Sequence, residues 1–379
     1  MKAQLSYWER ERYFKNIDVL IAGSGIVGLN SAWQLKQKAP SLRILVVERG
    51  ALPTGASTKN AGFACFGSVS ELIDDLDRMT EDEVFSLVEK RFKGIHRLRQ
   101  TIGDANMDFH EWGGFEIFDD KKSFAKCSDR VEGFNQHLAE ITGRKNVYKN
   151  ADEQIAGFGF EKVKHMIINT AEGQIDTGKM MDTLIAKVKD AGVTFLNGLE
   201  ISGVHPYEQG IHVDTEYGYS FNARRLLICT NGFARQFLPT EDVEPARAQV
   251  LITNPILSLK VRGTFHYDLG YYYFRNVGDR VLIGGGRNLD LKGETTTEHA
   301  ITPLIQDRLE TLLRTMILPG TQFSVDMRWS GTMGLGSKKA PIVKMVGEHV
   351  YCAIRLGGMG IALGCLTGEE AADMVLADL

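Results

Sequence analysis

The residues best placed to do chemistry fall first in one short segment. Gly23, Gly25 and Gly28 stand at G-x-G-x-x-G spacing directly after Ile17–Ala22, a β-branched run of the kind buried in a parallel sheet. At that spacing Gly23 permits a tight strand-to-helix turn, and Gly25 lets a pyrophosphate approach the backbone. Gly28 lets the helix pack close to the sheet. The helix opens through Ile26 and Val27, turning free N–H groups and a partial positive charge toward the phosphates. A second buried run, 43–47, ends at Glu48, where a carboxylate accepts hydrogen bonds from a ribose and disfavours a 2′-phosphate. This βαβ unit predicts nucleotide binding and leaves NAD and FAD equally open.

Glycine is abundant, 40 of 379 residues against a usual level of roughly 7%, and it is clustered. One cluster is the small-residue loop 55–62. Another, Gly357-Gly358-Met359-Gly360, opens a second strand-to-helix junction near the other end of the chain. It is either a packing turn or the second half of a cradle for an extended ligand such as FAD, and the residues alone do not choose.

The elements that must position these groups read as follows. Thr80 begins a helix, with Glu83 completing a capping box, and Val84, Leu87, Val88, Arg91, Phe92, Ile95, Leu98 and Ile102 mark its inner face. Residues 112–118 form a strand of a different layer, and residues 177–191 another helix. A hairpin follows at 201–204 and 211–215, then a buried run at 226–229 that stops at Thr230-Asn231-Gly232. From 239 to 325 the texture is one of longer alternating strands, with a hairpin turn at 276–279. Alternation places Tyr271, Tyr273 and Arg275 on one face. If that face looks at the ligand, the tyrosines wall a substrate pocket and Arg275 offers it a charge; otherwise Tyr272 and Phe274 are the inward pair. A helix from about Leu366 to Asp378 closes the chain.

Bulk properties exclude several classes. The 44 basic and 48 acidic residues give a net charge of −4, without a polybasic run, which argues against nucleic acid and anionic membranes. The N-terminal stretch is charged and aromatic, without the apolar core of a signal peptide. No apolar run approaches the ~20 residues needed to span a bilayer. Five scattered cysteines form no C-x-x-C pair, and the nine histidines form no ligand-like cluster. Metal: none, and a reducing cytoplasm, are the expectations.

The motifs together resemble the D-amino-acid oxidase/glycine oxidase family of FAD enzymes, closest to its gamma-glutamylputrescine oxidoreductase-like branch. The resemblance runs through GASTKNAG at 55–62, EGQID at 172–176 and LLICTNGFA at 226–234. It continues in YYYFRNVGDRVLIGGG at 271–286, RWSGTMG at 328–334 and GGMGIALGCLTGEEAA at 357–372. It implies an α/β fold: a Rossmann-type FAD-binding domain with a central parallel sheet, plus a second α+β substrate domain with a mainly antiparallel sheet. The FAD domain would comprise 1–79, 150–235 and 327–379, and the substrate domain 80–149 and 236–326. By position, Glu48 would hold the adenosine ribose with Arg49 nearby, and Ile201 would meet the adenine. Ser57, Lys59, Asn60, Ala61 and Gly62 would line the isoalloxazine edge and pyrophosphate. Thr230, Asn231 and Gly232 would end a strand beside the cofactor. Gly358, Met359, Gly360 and Ile361 would place N–H groups near the flavin N1 and C2 carbonyl, where reduction accumulates negative charge. Arg355 joins this cofactor-binding set.

This chain departs from the family at three places, one of them Met359, where the closest branch tends to have histidine. Many of these enzymes clamp a substrate carboxylate with an arginine after W-x-G, but here Met333 follows Trp329-Ser330-Gly331; Arg275, Arg355 or Lys338 are the substitutes considered. Lys59 stands where some relatives attach FAD through histidine, which implies non-covalent FAD. The implied activity is oxidation of a C–N bond of a small amine or amino-acid-like substrate by hydride transfer to flavin N5, with O2 or another electron acceptor downstream. The alternatives are an FAD-dependent dehydrogenase of a hydroxy acid or polyol phosphate, a NAD-linked dehydrogenase, or nucleotide binding without turnover.

Overall fold

The computed structural model describes residues 4–379, in which two eight-stranded sheets dominate. The first contains β1 (Ile17–Ala22), β2 (Ile44–Glu48), β8 (Thr194–Asn197), β9 (Ile201–Tyr207), β10 (Gly210–Thr215), β11 (Ser220–Ile228), β17 (Ile342–Gly347) and β18 (Val350–Ile354). Its order is β17-β18-β11-β1-β2-β8, with the β9/β10 hairpin attached to β11. β1 lies between β2 and β11 and is parallel to both, and β18 runs parallel to β11. With β8 parallel to β2, five carboxyl ends therefore emerge on one edge, where open α/β sheets bind their ligands. Every residue of β2 and of β18 is buried, as expected of strands covered on both faces.

The second sheet contains β4 (Gly114–Phe118), β5 (Tyr148–Asn150), β6 (His165–Asn169), β12 (Glu244–Thr253), β13 (Thr264–Tyr267), β14 (Tyr272–Val277), β15 (Arg280–Gly285) and β16 (Val325–Leu335). All its pairings are antiparallel except β13 with β4. Its core is a stack of aromatic rings: Phe265 lies on Phe274 at 4.7 Å between centroids and on Phe115 at 4.9 Å. A two-stranded ribbon, β3 (Phe63–Ala64) with β7 (Gly173–Gln174), completes the strands.

Eight helices of eight or more residues occur among the described residues: α1 (Ile26–Lys38), α2 (Val69–Leu76), α3 (Glu81–Ile102), α4 (Lys121–Ser128), α5 (Val131–Thr142), α6 (Thr177–Asp190), α7 (Pro303–Leu312) and α8 (Gly360–Leu376). None is long and apolar enough to cross a membrane. The capping box at Thr80 is present with both arms, and α3 buries Val84, Leu87, Val88, Arg91, Ile95, Leu98 and Ile102 as its periodicity predicts. Within the stretch expected to be all strands lies α7, which covers the second sheet with Ile305, Leu309 and Leu312.

The expected segment boundaries and the sheets differ at their edges. β16 pairs with β12 from Glu244↔Leu335 to Thr253↔Val325, so residues through 335 belong to the second sheet, and the chain rejoins the first only at Ile342. β6 likewise pairs with β4 in the second sheet. α3, expected with the substrate domain, packs on α8: a Cβ on Gly94 would stand 1.8 Å from the Ala362 carbonyl oxygen.

α8 starts at Gly360 and not near Leu366. Gly364 falls before the expected start and Gly368 within the expected helix, and these two residues let the helices touch. A Cβ on Gly364 would lie 2.7 Å from Ile26 Cγ2, and one on Gly368 2.7 Å from Asn30 Cβ and 2.9 Å from the Val27 carbonyl oxygen. The last helix thus lies directly on the first. Gly368→Val should overpack this contact and lower unfolding stability by about 1–3 kcal/mol, read as an earlier denaturation midpoint; an unchanged midpoint would contradict so close a packing.

Candidate active site

At the end of β1, Gly23 has φ +104, and a Cβ there would meet the Cys229 carbonyl oxygen at 3.0 Å. Gly28 packs so tightly that a Cβ would lie 2.1 Å from the Gly23 carbonyl oxygen. α1 begins with Gly25 as N-cap, which has no side chain to cap it, so the N–H groups of its first turn fall to other partners. Ser57 Oγ accepts from the Ile26 N–H at 2.9 Å and brings the loop at 55–62 against this turn. Glu48 is buried and held rigidly. Its Oε2 accepts from Ser24 Oγ at 3.0 Å, and its Oε1 from the Gly50 N–H and Thr54 Oγ1 at 3.1 Å each.

The second junction is tied to the first sheet through Asn231, which has φ +45. Its Oδ1 accepts from the N–H groups of Arg355 at 3.0 Å and Leu356 at 3.3 Å. α8 then opens at Gly360 with Met359 as N-cap, again without a side-chain cap. In the loop between, Asn60 donates to the Ala56 and Ser57 carbonyls at 3.1 and 3.0 Å, and its Oδ1 accepts from the Gly62 N–H at 2.8 Å and Thr177 Oγ1 at 2.9 Å.

All of this borders one elongated cleft of about 520 Å³. Of the sequence-predicted residues, Gly23, Gly25, Ile26, Val27, Glu48, Arg49, Ser57, Lys59, Asn60, Ala61, Gly62, Ile201, Thr230, Asn231, Gly358, Met359, Gly360 and Ile361 line it, as do Tyr271 and Tyr273. Gly28 and Gly232 lie behind the lining and serve close packing; a Cβ on Gly232 would meet the Met333 carbonyl oxygen at 2.4 Å. Two arginines are corrections. Arg275 does not reach the cleft: its guanidinium is buried against backbone carbonyls, donating to those of Ala61, Ile175 at 2.9 Å and Asn276 at 3.2 Å. Burial pushes its pKa down to about 10, and its role is to pin the loop at 61–62 to the second sheet. Arg355 turns the other way, to the Ala340 carbonyl at 3.0 Å and Asp242 Oδ2 at 2.6 Å.

Two uncapped helix N-termini on one cleft suit a long ligand that is anionic along its middle and gains charge at one end. Thr230 Oγ1, buried at the lining without a partner, is a further group that such a ligand would satisfy. The residues present therefore fit a dinucleotide, with Glu48, Ile201 and residues 358–361 all on the lining of one cleft.

The far end of the cleft is roofed by the second sheet. Tyr273 meets Phe63 edge-on at 5.6 Å, and Phe63 meets His266 at 5.3 Å. Tyr271 stands at the rim, two-fifths exposed. Trp329 packs with Val250 and Leu282 and donates Nε1–H to the Lys59 carbonyl at 3.0 Å, a core role. The sequence reading missed Glu71, Arg287 and Lys339 on this lining and gave His266 an ordinary role. Lys339 faces the cleft where Lys338 was considered, and it is paired with the buried Asp75. Arg287 follows the left-handed Gly286, on a loop anchored by the buried pair of Arg247 and Glu294 at 2.7 and 2.9 Å. All five cysteines are buried and unpaired, and burial pushes the Cys65 thiol far up.

Behind this wall, two carboxylates tie α2 in place. Glu172 accepts from the N–H groups of Phe66 at 2.7 Å and Gly67 at 3.0 Å, and Glu116 from the Ser70 N–H at 3.2 Å and from its hydroxyl. Burial pushes Glu172 up to about 8 and Glu116 up to about 7, against the donors' opposite pull. Carboxyls raised above their unfolded values stabilise the fold fully below about pH 4.5, and that contribution is lost as pH rises through 7 and 8. The melting temperature should therefore fall between pH 6 and pH 9, and Glu172→Gln, which keeps the acceptor oxygen, should reduce the fall. An equal fall in the variant would remove Glu172 as its source.

Comparison with known proteins agrees with this geometry. Residues 18–374 match the DAO family model, described as FAD-dependent oxidoreductase. A Haemophilus influenzae protein described as probable oxidoreductase OrdL is 20% identical, over 96% of this chain and 84% of its own. The fold is that of glycine oxidase from Geobacillus kaustophilus (TM-score 0.76, 17% identity, 96% of this chain and 95% of that one). It is also that of L-proline dehydrogenase from P. horikoshii (TM-score 0.74, 17% identity, 96% and 94%).

Proposed function

The chain belongs to the DAO family of FAD-dependent oxidoreductases, and on that premise we propose that it oxidises a C–N bond of a small amine or amino-acid-like substrate. The observation that carries this reading is the chamber at the end of the cleft. There Phe63, His266 and Tyr273 of the roof and the uncapped start of α8 border the same space. Bound FAD supplies a two-electron acceptor there. The chain supplies position and electrostatics. The aromatic walls exclude water and penalise a cation, so an amine enters the reacting position neutral, with its lone pair free to assist loss of hydride. Burial holds Tyr273 up at about 12, protonated and able to donate, and holds His266 below its ordinary value, so the imidazole stays neutral. The N–H groups at the start of α8 would stabilise negative charge gathering on a ring beside them.

Met333 lies over the second junction, with its Sδ 3.4 Å from where a Cβ on Gly358 would stand, and it supplies no charge for a substrate carboxylate. Arg287 is the guanidinium at the rim that could do so, in place of Arg275 or Arg355. Lys59 in the flavin loop supports non-covalent FAD. Five buried thiols support a reducing compartment such as the cytoplasm.

Anaerobic mixing of the purified flavoprotein with panels of amines, amino acids and hydroxy acids should bleach the visible flavin band with amines or amino acids. Bleaching by hydroxy acids alone would overturn the proposal. For any substrate that carries a carboxylate, Arg287→Ala should raise KM by about tenfold or more with a smaller change in kcat, as expected for loss of a charged contact; an unchanged KM would remove Arg287 from the site.

A further inference from the structure

The charged groups around the roofed end of the cleft are mostly spoken for. Arg78 bonds Asp74 at 3.3 Å, and Lys339 is paired with the buried Asp75. Arg91 lies behind the wall, donating to the Phe66 carbonyl at 3.1 Å. Glu71 is different. Its Oε2 accepts from the N–H and the hydroxyl of Ser68, at 3.0 Å each, completing the capping box of α2. Its Oε1, 3.0 Å from where a Cβ on Gly270 would stand, has no donor among the described residues and is left to the cleft that Glu71 lines. On the same lining His266 is only 6% exposed, and its Nε2 has no partner. The rings of Tyr271 and Tyr273 border the same space.

A carboxylate oxygen without a donor, beside an imidazole nitrogen without a partner, is a receptor for a cationic N–H donor. Burial alone would push Glu71 up, but the Ser68 N–H, Lys339, Arg91 and, once protonated in acid, His266 outweigh it and hold the group below its ordinary value, hence ionised at neutral pH. The reacting amine cannot be the cation that Glu71 receives. An adjacent carboxylate favours the ammonium form, and an ammonium has no lone pair with which to assist hydride loss. We propose that Glu71 binds a second, non-reacting ammonium of the substrate, which makes the substrate class diamines or amines with a further cationic group. This rests on the amine-oxidation reading above and adds to it the identity of the substrate's remote end. A monoamine would leave the Glu71 oxygen desolvated without a partner, so the site discriminates by an unmet charge as well as by fit.

Glu71→Gln is a conservative test, because glutamine also serves at the third position of a capping box and the helix start is retained. Holoenzyme reduced beforehand with dithionite, so that no turnover occurs, is titrated calorimetrically with 1,3- to 1,6-diaminoalkanes and with n-alkylamines of equal length. The wild type should bind at least one diamine about tenfold or more tightly than its matched monoamine, the usual scale for a charge-assisted hydrogen bond. Glu71→Gln should erase that preference by weakening the diamine more than its matched monoamine. Equal wild-type affinity for the two series, or equal losses of both in the variant, would overturn the assignment. Oxidised enzyme bleached by monoamines and diamines alike, with no such preference, would sink this inference and leave amine oxidation standing. Bleaching by no amine at all would remove the reading beneath it.

Discussion

The contact between α1 and α8 governs the rest of the molecule. Ile26 and Asn30 of the first helix lie against Gly364 and Gly368 of the last, at separations that admit no side chain. Because the two helices touch, their N-termini reach the same cleft from opposite ends of the chain. The parallel pairings of β1 with β11 and of β11 with β18 bring the strand ends to that same edge. A long anionic cofactor can then meet one helix with its phosphates and the other with its ring. Neither helix alone would make a site.

The second constraint is Arg275. A buried guanidinium with three backbone acceptors is satisfied only while the loop at 61–62, the turn at Ile175 and β14 stay together. The loop at 61–62 is thereby fixed to the roof that faces it. Gly62 belongs to this arrangement: with φ +72, a Cβ there would lie 2.5 Å from the Ile175 carbonyl oxygen and 2.7 Å from Arg275 Nη2. The charge that pattern reasoning offered to a substrate holds the two halves of the active site in register.

What could be read beforehand follows from how local the signal was. The Gly23–Gly28 turn, Glu48 and the Thr80 cap are set by neighbours a few residues away, and their spacing stated them. Alternation places Tyr271 and Tyr273 on one face, without saying which way that face looks, and it specifies a face and not a depth; both border the cleft. Arg275, on the same face, falls beyond the cleft and meets carbonyls supplied by distant segments. The start of α8 was placed late because Gly360 and Gly364 weaken the local helix signal, and the helix packed against them comes from the other end of the chain. Pro303 after Thr302, a helix-start signature, was lost within a stretch of strands. Glu71 was visible as the third residue of a Ser68 cap. Nothing in one sequence could show that its other oxygen borders a cleft roofed by residues two hundred positions later.

Gly284 never borders the cleft, yet it controls how wide the cleft is. A Cβ there would sit 2.6–2.7 Å from the Tyr273 ring, so that ring lies folded across the neighbouring strand only because β15 carries no side chain at this point. Adding even one methyl group there would displace this aromatic wall of the cleft. The girth accepted by this scaffold can thus be retuned from outside the lining, leaving every residue that touches the substrate as it was.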